Sequence, residues 1–209
     1  MNIVNVGYNS TNYYVIGQAH NRVLIDVGWP RTLPKLATNL KRKGIKLQEI
    51  RYLLVTHYHP DHAGLAQELK NQGVRLILLE QQVDAIPRLK TYMKPKDRYV
   101  DILIQDAIRL ATQASRDFLR SIGIAGEIIS TPGHSNDSVT LVLDDGAAFT
   151  GDLASPKWAG EDVMDEVVRS WQAILALNAK MAYPGHGPIR AVQIMAERTM
   201  ELTPSNTHA

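Results

Sequence analysis

Thr56-His57-Tyr58-His59-Pro60-Asp61-His62-Ala63-Gly64 gathers three of the chain's seven histidines into six residues. Residues Tyr52 to Val55 before it are apolar and read as a buried strand. On extended backbone His57 and His59, two apart, project to one side, and Pro60 biases His59 toward the same extended form. Asp61 and His62 then fall at the entrance of a helix expected over Ala63 to Asn71, so the turning chain presents a second pair of ligands. A solvated loop has no reason to crowd three imidazoles together, whereas a metal centre does. Tyr58, between two of them, points the other way and is expected to pack.

Three later segments repeat one arrangement: Thr131-Pro132-Gly133-His134-Ser135, Thr150-Gly151-Asp152-Leu153 and Tyr183-Pro184-Gly185-His186-Gly187. In each, a candidate ligand follows a strand and sits beside glycine, which lets backbone and side chain approach closely. With the first cluster they supply five histidines and two aspartates, enough for two metal ions with open positions. Asp26 ends the apolar strand Val23 to Ile25. It either accepts a hydrogen bond from a ligand imidazole or caps the turn before Gly28. Ser135, Asn136 and Lys157 flank these motifs and could touch substrate. His20, in a turn, and His208, in the tail, are given no role.

The rest of the chain reads as strands at Ile3 to Val6, Tyr13 to Ile16, Arg75 to Leu79 and Glu127 to Ser130, with a hairpin of Val139 to Leu143 and Ala147 to Thr150. Helices are expected at Leu33 to Lys43, with Thr32 as N-cap and Gly44 as stop, at Val163 to Leu177 and at Ile189 to Glu201. A short strand falls at Met181 to Tyr183, and the tail from Thr203 is expected to fray. Residues 81–122 carry helical periodicity without a convincing strand. The economical organisation is a single α/β domain over 1–209 with a helical insertion at about 81–122. In it, Tyr99, Ile102, Leu103, Asp106 and Leu110 follow helical spacing, and Ile86, Leu89, Tyr92 and Met93 add apolar surface. That face either packs as core or a homodimer interface, or walls a pocket in which Tyr92, Met93 or Tyr99 lies along an acyl chain.

Composition narrows the chemistry. The 209 residues are 44% apolar and 21% charged, as in a globular protein with a sizeable core. Cysteine is absent, which removes disulfides, thiol nucleophiles and thiolate metal sites, so any metal must be bound by nitrogen and oxygen. A net charge of +2 argues against nucleic acid as partner. No apolar run approaches the roughly 18 residues of a membrane span, and MNIVNVGYNSTNYY lacks the pattern of a secretory signal, so a cytoplasmic protein acting on a small molecule is expected.

His57-x-His59-x-Asp61-His62, then His134, Asp152 and His186 in order, with Leu24-Ile25-Asp26-Val27-Gly28 near the start, closely resemble the metallo-β-lactamase superfamily in its glyoxalase II-like branch of small metallohydrolases. The resemblance covers nearly the whole chain. It implies a four-layer αββα sandwich with the site at one edge of two sheets. It also implies that His57, His59 and His134 bind one metal, that Asp61, His62 and His186 bind a second, and that Asp152 bridges them. Zinc is the default ion, with iron or manganese compatible with the same ligands.

The implied activity is hydrolysis of an activated acyl bond, a lactone or thioester. Two ions about 3.5 Å apart would activate a bridging hydroxide, with Asp61 orienting it and shuttling its proton. The same centre could serve a phosphodiesterase or nuclease, a mononuclear iron persulfide dioxygenase, or a metal-binding scaffold without turnover. True two-zinc β-lactamases carry Cys or Ser where Asp152 stands, and flavodiiron proteins carry Glu where His59 stands, which disfavours both activities. Glyoxalase II recognises glutathione through a helical C-terminal extension, whereas about 23 residues follow His186 here, so the glutathione thioester is not the expected substrate.

Overall fold

The computed structural model describes residues 2–18 and 20–196. Among the described residues, eleven strands form two sheets. The first contains β1 (Ile3–Asn5), β2 (Tyr14–Ile16), β3 (Arg22–Ile25), β4 (Ile50–Leu54), β5 (Arg75–Leu79) and β6 (Ile108–Leu110), in that spatial order. β1 to β3 pair antiparallel, and β3 to β6 pair parallel. The second sheet contains β7 (Gly126–Ser130), β8 (Val139–Leu143), β9 (Ala147–Gly151), β10 (Met181–Pro184) and β11 (Arg190–Ala191), in the order β11-β10-β9-β8-β7.

The period-two alternation of each strand divides its side chains between two cores. Val23, Ile25, Tyr52, Leu54, Ile77 and Leu79 face Ile128, Leu141, Leu143 and Phe149 across the inter-sheet core. Their neighbours Leu24, Leu53, Leu76 and Leu78 face outward onto Leu36 and Leu40 of α1 (Leu33–Arg42), and onto the segment of α2 (Pro60–Ala63) and α3 (Ala66–Lys70) through Ala63, Ala66 and Leu69. Short helices α4 (Ile86–Leu89) and α5 (Ser115–Ser121) flank β6 in sequence. On the other outer face, Val142, Ala148 and Ala182 pack on Val167, Trp171 and Ile174 of α6 (Met164–Ala176). Helix, sheet, sheet and helix thus form the four expected layers.

Three local expectations change. Residues 81–122 are 3₁₀ turns, α4, an irregular run and then β6, before α5. Ile108 and Leu110 turn inward while Arg109 is exposed, a strand pattern too short to stand out against the apolar spacing around it. The run before β6 is held without helix: the buried Lys70 ammonium binds Asp106 at 2.6 Å and the Leu103 carbonyl, and Gln67 accepts from Leu103 N at 2.8 Å. Thr32 stands at the N-cap of α1 as expected, and its carbonyl accepts from Leu36 N at 3.1 Å, but its hydroxyl makes no cap: it donates to Trp29 O at 2.6 Å and meets Tyr8 Oη at 2.6 Å. Arg190 and Ala191 pair with β10, so the final helix, α7, covers Val192–Met195 instead of starting at Ile189. Its expected continuation to Glu201, the tail and His208 lie outside the described residues.

Candidate metal centre

β7 is antiparallel to β8, β8 is antiparallel to β9, and β9 is parallel to β10, so β7, β9 and β10 run the same way. With parallel β3 and β4 in the other sheet, five strands deliver their C-terminal ends to the site: β3 to Asp26, β4 to His57, β7 to His134, β9 to Asp152 and β10 to His186. Val139 N donates to Thr56 O at 2.8 Å and fastens the two sheets together there. Gln82 Nε2 donates to Val55 O at 2.9 Å and Asp137 O at 3.2 Å, and Tyr58 N donates to Asp137 Oδ2 at 2.7 Å. Tyr58 itself is buried in the core, as expected.

The seven candidate ligands converge. His59 Nδ1 lies 3.1 Å from His57 Nε2 and 2.9 Å from His134 Nε2. Asp61 Oδ2 lies 3.1 Å from His186 Nε2 and 3.6 Å from His62 Nε2. Between these groups, Asp152 Oδ2 is 3.3 Å from His62 Nε2, 3.4 Å from His186 Nε2, 3.7 Å from His134 Nε2 and 3.8 Å from His57 Nε2. Three overlapping sets could hold an ion: His57 with His59 and His134, His57 with His62 and Asp152, and Asp61 with His62 and His186.

The hydrogen-bond network turns the imidazole lone pairs inward. Asp26 is buried and accepts Thr56 N at 2.6 Å, the Thr56 hydroxyl at 2.8 Å and His62 Nδ1 at 2.9 Å. Since the Thr56 hydroxyl spends its proton on Asp26, it accepts from His57 Nδ1 at 3.2 Å. His186 Nδ1 donates to Ser10 O at 2.8 Å. In all three rings the Nδ1 proton is committed outward and Nε2 is left as a ligand atom. Of the two roles expected for Asp26, orienting an imidazole is the one its contacts serve.

These residues fit a divalent cation. His62 Nε2 and Asp152 Oδ1 are buried without a hydrogen-bond partner in the protein, an arrangement that costs about 1–3 kcal/mol per group unless something coordinates them. A side chain at Gly185 would put its Cβ 2.5 Å from both Asp152 Oδ1 and His62 Cε1. Gly151, at φ +52°, would put one 2.5 Å from Thr56 Oγ1. Only glycine leaves this cradle open. Nitrogen donors about 3 Å apart are close to the roughly 3.4 Å spacing around a tetrahedral ion with bonds near 2.1 Å.

Electrostatics match the crowding. Burial, then the neighbouring His62, His134, His59 and His186, hold His57 well below the usual histidine range. Burial also lowers His62, but Asp26 and Asp152 outweigh it and push that imidazole up to about 10. Burial likewise lowers His134. Burial would raise Asp152, but its hydrogen bond to His62 and the surrounding imidazoles hold it below the carboxylate range.

Residues 8–13 close the centre from a part of the chain that carries no ligand motif. Thr11 bridges His186 through its backbone, and its hydroxyl donates to Asp61 Oδ2 at 3.1 Å. Asn12 Nδ2 donates to Pro184 O at 3.0 Å and Gly187 O at 2.8 Å, and Asn12 N donates to Gly185 O at 2.7 Å. No motif near Thr11 announces this contact, because it depends on a partner 50 residues away.

A cleft of about 690 Å³ opens from His134, Asp152 and His186 and is walled by Leu153, Lys157, Trp158, Arg190, Ile194 and Met195 among others. Lys157 was anticipated beside the site; Trp158 and Arg190 were not. Tyr92 is exposed with its ring centroid 5.3 Å from that of His59. Met93 and Tyr99 instead pack against the outer core and are not among the residues lining the cleft. The Ser135 hydroxyl meets that of Ser138 at 2.8 Å inside its turn, and Asn136 is exposed.

The family model for the metallo-β-lactamase superfamily matches residues 6–186, and the chain belongs to that superfamily, whose enzymes are metal-dependent hydrolases. Among its relatives is a β-lactamase-like protein 2 homolog of Caenorhabditis elegans, 29% identical over 86% of this chain and 56% of that protein. Another is an atrochrysone carboxyl ACP thioesterase of Aspergillus fumigatus, 28% identical over 86% of this chain and 51% of the relative. The chain therefore spans little more than half the length of these relatives. A metallo-β-lactamase family protein of Thermus thermophilus shares the fold at a TM-score of 0.71 and 22% identity, over 96% of this chain and 77% of the other. No helix among the described residues is long and apolar enough to cross a membrane.

Proposed function

We propose that this chain hydrolyses an activated acyl bond, a thioester or lactone of a small-molecule substrate, at a centre of two divalent ions, zinc by preference. The observation that carries the reading is the position of Asp152 Oδ2, within 3.8 Å of four imidazole nitrogens and shared between the two triads. His57, His59 and His134 would hold one ion, and Asp61, His62 and His186 the other. The thioesterase named among the relatives favours acyl chemistry over phosphodiester chemistry.

Bound ions would supply Lewis acidity toward the acyl carbonyl and lower the pKa of a water toward about 7. The chain's residues do the rest. Thr11 fixes the Asp61 carboxylate so that Oδ2 faces His186 and His62. Among the described residues no hydrogen bond or ion pair engages Asp61 Oδ1; that oxygen takes up the proton lost by the attacking water and returns it to the departing thiolate or alkoxide. The acyl group lies in the cleft beside His134 and Asp152. The products are a carboxylic acid and a thiol, or the opened hydroxy acid of a lactone.

The test is a panel of thioester, lactone, phosphodiester and β-lactam substrates on protein of measured metal content. Thioester or lactone turnover that disappears in excess chelator and returns with zinc is expected. Turnover of the phosphodiester alone, or full activity in chelator, overturns the reading.

A further inference from the structure

We infer that the substrate is anionic: it carries a carboxylate or phosphate held by Lys157 and Arg190, and an apolar body that lies against Trp158 and Ile194. This rests on the hydrolytic reading of the same centre and names its substrate class.

The cleft is asymmetric in charge. Lys157 and Arg190 reach it from two different segments, the loop after Asp152 and strand β11. Among the described residues Asp152, already engaged by four imidazoles, is the only acidic one lining it. Among the same residues no ion pair engages Lys157 or Arg190, so both charges are available to a ligand. Divalent ions at the centre add to the same sign, and a cleft lined by one sign concentrates ligands of the other.

The apolar part of the wall is equally specific. Trp158 is 79% exposed and Ile194 55%, the first being the most exposed large apolar side chain among the described residues. Folding gains little from either side chain in this position. Lys157 Nζ stands 5.8 Å from the Trp158 ring centroid, so cation and aromatic face are presented together. An amphipathic ligand can use both, its body on the indole and its charge on the ammonium and guanidinium. The volume of about 690 Å³ suits a molecule larger than a bare acyl group.

The anion could sit on the acyl portion, as a terminal carboxylate, or on the leaving arm, as a phosphate. Three thioesters separate these: pentanoyl-N-acetylcysteamine, glutaryl-N-acetylcysteamine and pentanoyl-phosphopantetheine. Zinc-loaded wild type, Lys157→Gln, Arg190→Gln and the double variant are compared by kcat/KM. At least one charged thioester is expected to exceed the neutral one by about tenfold or more, with the advantage shrinking as salt rises. In the double variant the charged-to-neutral ratio falls toward one. The charged compound that gains identifies the end that carries the anion. As a readout independent of turnover, calorimetry measures binding of glutarate and of phosphopantetheine to each protein, with weaker binding expected in the double variant. A ratio near one in wild type, or one that survives both substitutions, overturns the inference and leaves the hydrolase reading standing. Anion binding that depends on Lys157 and Arg190, with no hydrolysis of any thioester or lactone, overturns the hydrolase reading and leaves the anion site.

Discussion

Thr11 Oγ1 donates to Asp61 Oδ2 at 3.1 Å, and the same Thr11 pairs through its backbone with His186, so one residue positions two ligands of one triad. Thr11→Val keeps the shape and the backbone bridge but removes the hydroxyl. We expect it to lower occupancy of the second ion and to reduce kcat by about tenfold, while occupancy of the first ion and the circular dichroism spectrum are kept. Thr11→Ser restores both. Metal analysis after dialysis against graded chelator distinguishes the sites; full occupancy in the valine variant would remove Thr11 from this role.

Asp26→Asn is expected to weaken metal binding by about 10- to 100-fold, because it replaces the carboxylate that accepts from His62 Nδ1. It should also lower the melting temperature of the metal-free protein, since Asp26 is buried and accepts three hydrogen bonds. Competition with a chromophoric chelator gives the affinity. An unchanged value would contradict the orienting role.

Metal uptake should release protons. With His62 pushed up to about 10 in the metal-free centre, its imidazole is protonated at neutral pH and must become neutral to bind an ion. Calorimetric titration with zinc at pH 7.5 in buffers of different ionisation enthalpy should show about one proton released per His62. No dependence on buffer would show that the ring was already neutral.

The metal-free protein should be most stable near the unperturbed histidine pKa of about 6.5. His62, raised on folding, contributes fully below that pH and loses its contribution as pH rises through about 10. His57, lowered on folding, contributes above that pH and loses its contribution as pH falls through its depressed value. Thermal melts in chelator from pH 4 to 10 should therefore decline on both sides, and metal loading should flatten the alkaline side. A melting temperature of the metal-free protein that keeps rising to pH 9 contradicts the sign assigned to His62.

Gly185→Ala should empty the centre while the sheets persist, since its methyl group would collide with Asp152 Oδ1 and His62 Cε1. Metal content near zero with a native-like circular dichroism spectrum is the expected result. Normal metal content would mean that the loop shifts to make room.

The candidate ligands were legible because the chemistry restricts both residue type and place: His57, His134, Asp152 and His186 each follow a strand end, and five such ends share one edge. The apolar runs Val23 to Ile25 and Tyr52 to Val55 were likewise legible as strands, although their division between two cores was not. Residues whose role depends on distant neighbours were not legible. Ile108 and Leu110 become strand because β5 offers an edge, and Met93 and Tyr99 pack, half-buried, against the outer core instead of the cleft. Trp158 and Arg190 meet at one cleft only after residues 153–158 and 188–195 have folded together.

The clasp between residues 10–12 and 184–187 also has a temporal side. Ser10 and Asn12 hold the loop that carries His186 through contacts spanning 170 or more positions. During synthesis, the strand leading to His57 can leave the ribosome and pair long before His186 has been translated. Until then Asp61 and His62 lack His186, the third member of their group. The ligand set proposed for the second ion is therefore complete only once Gly187 has emerged and the polypeptide from Ser10 to Gly187 can close on itself.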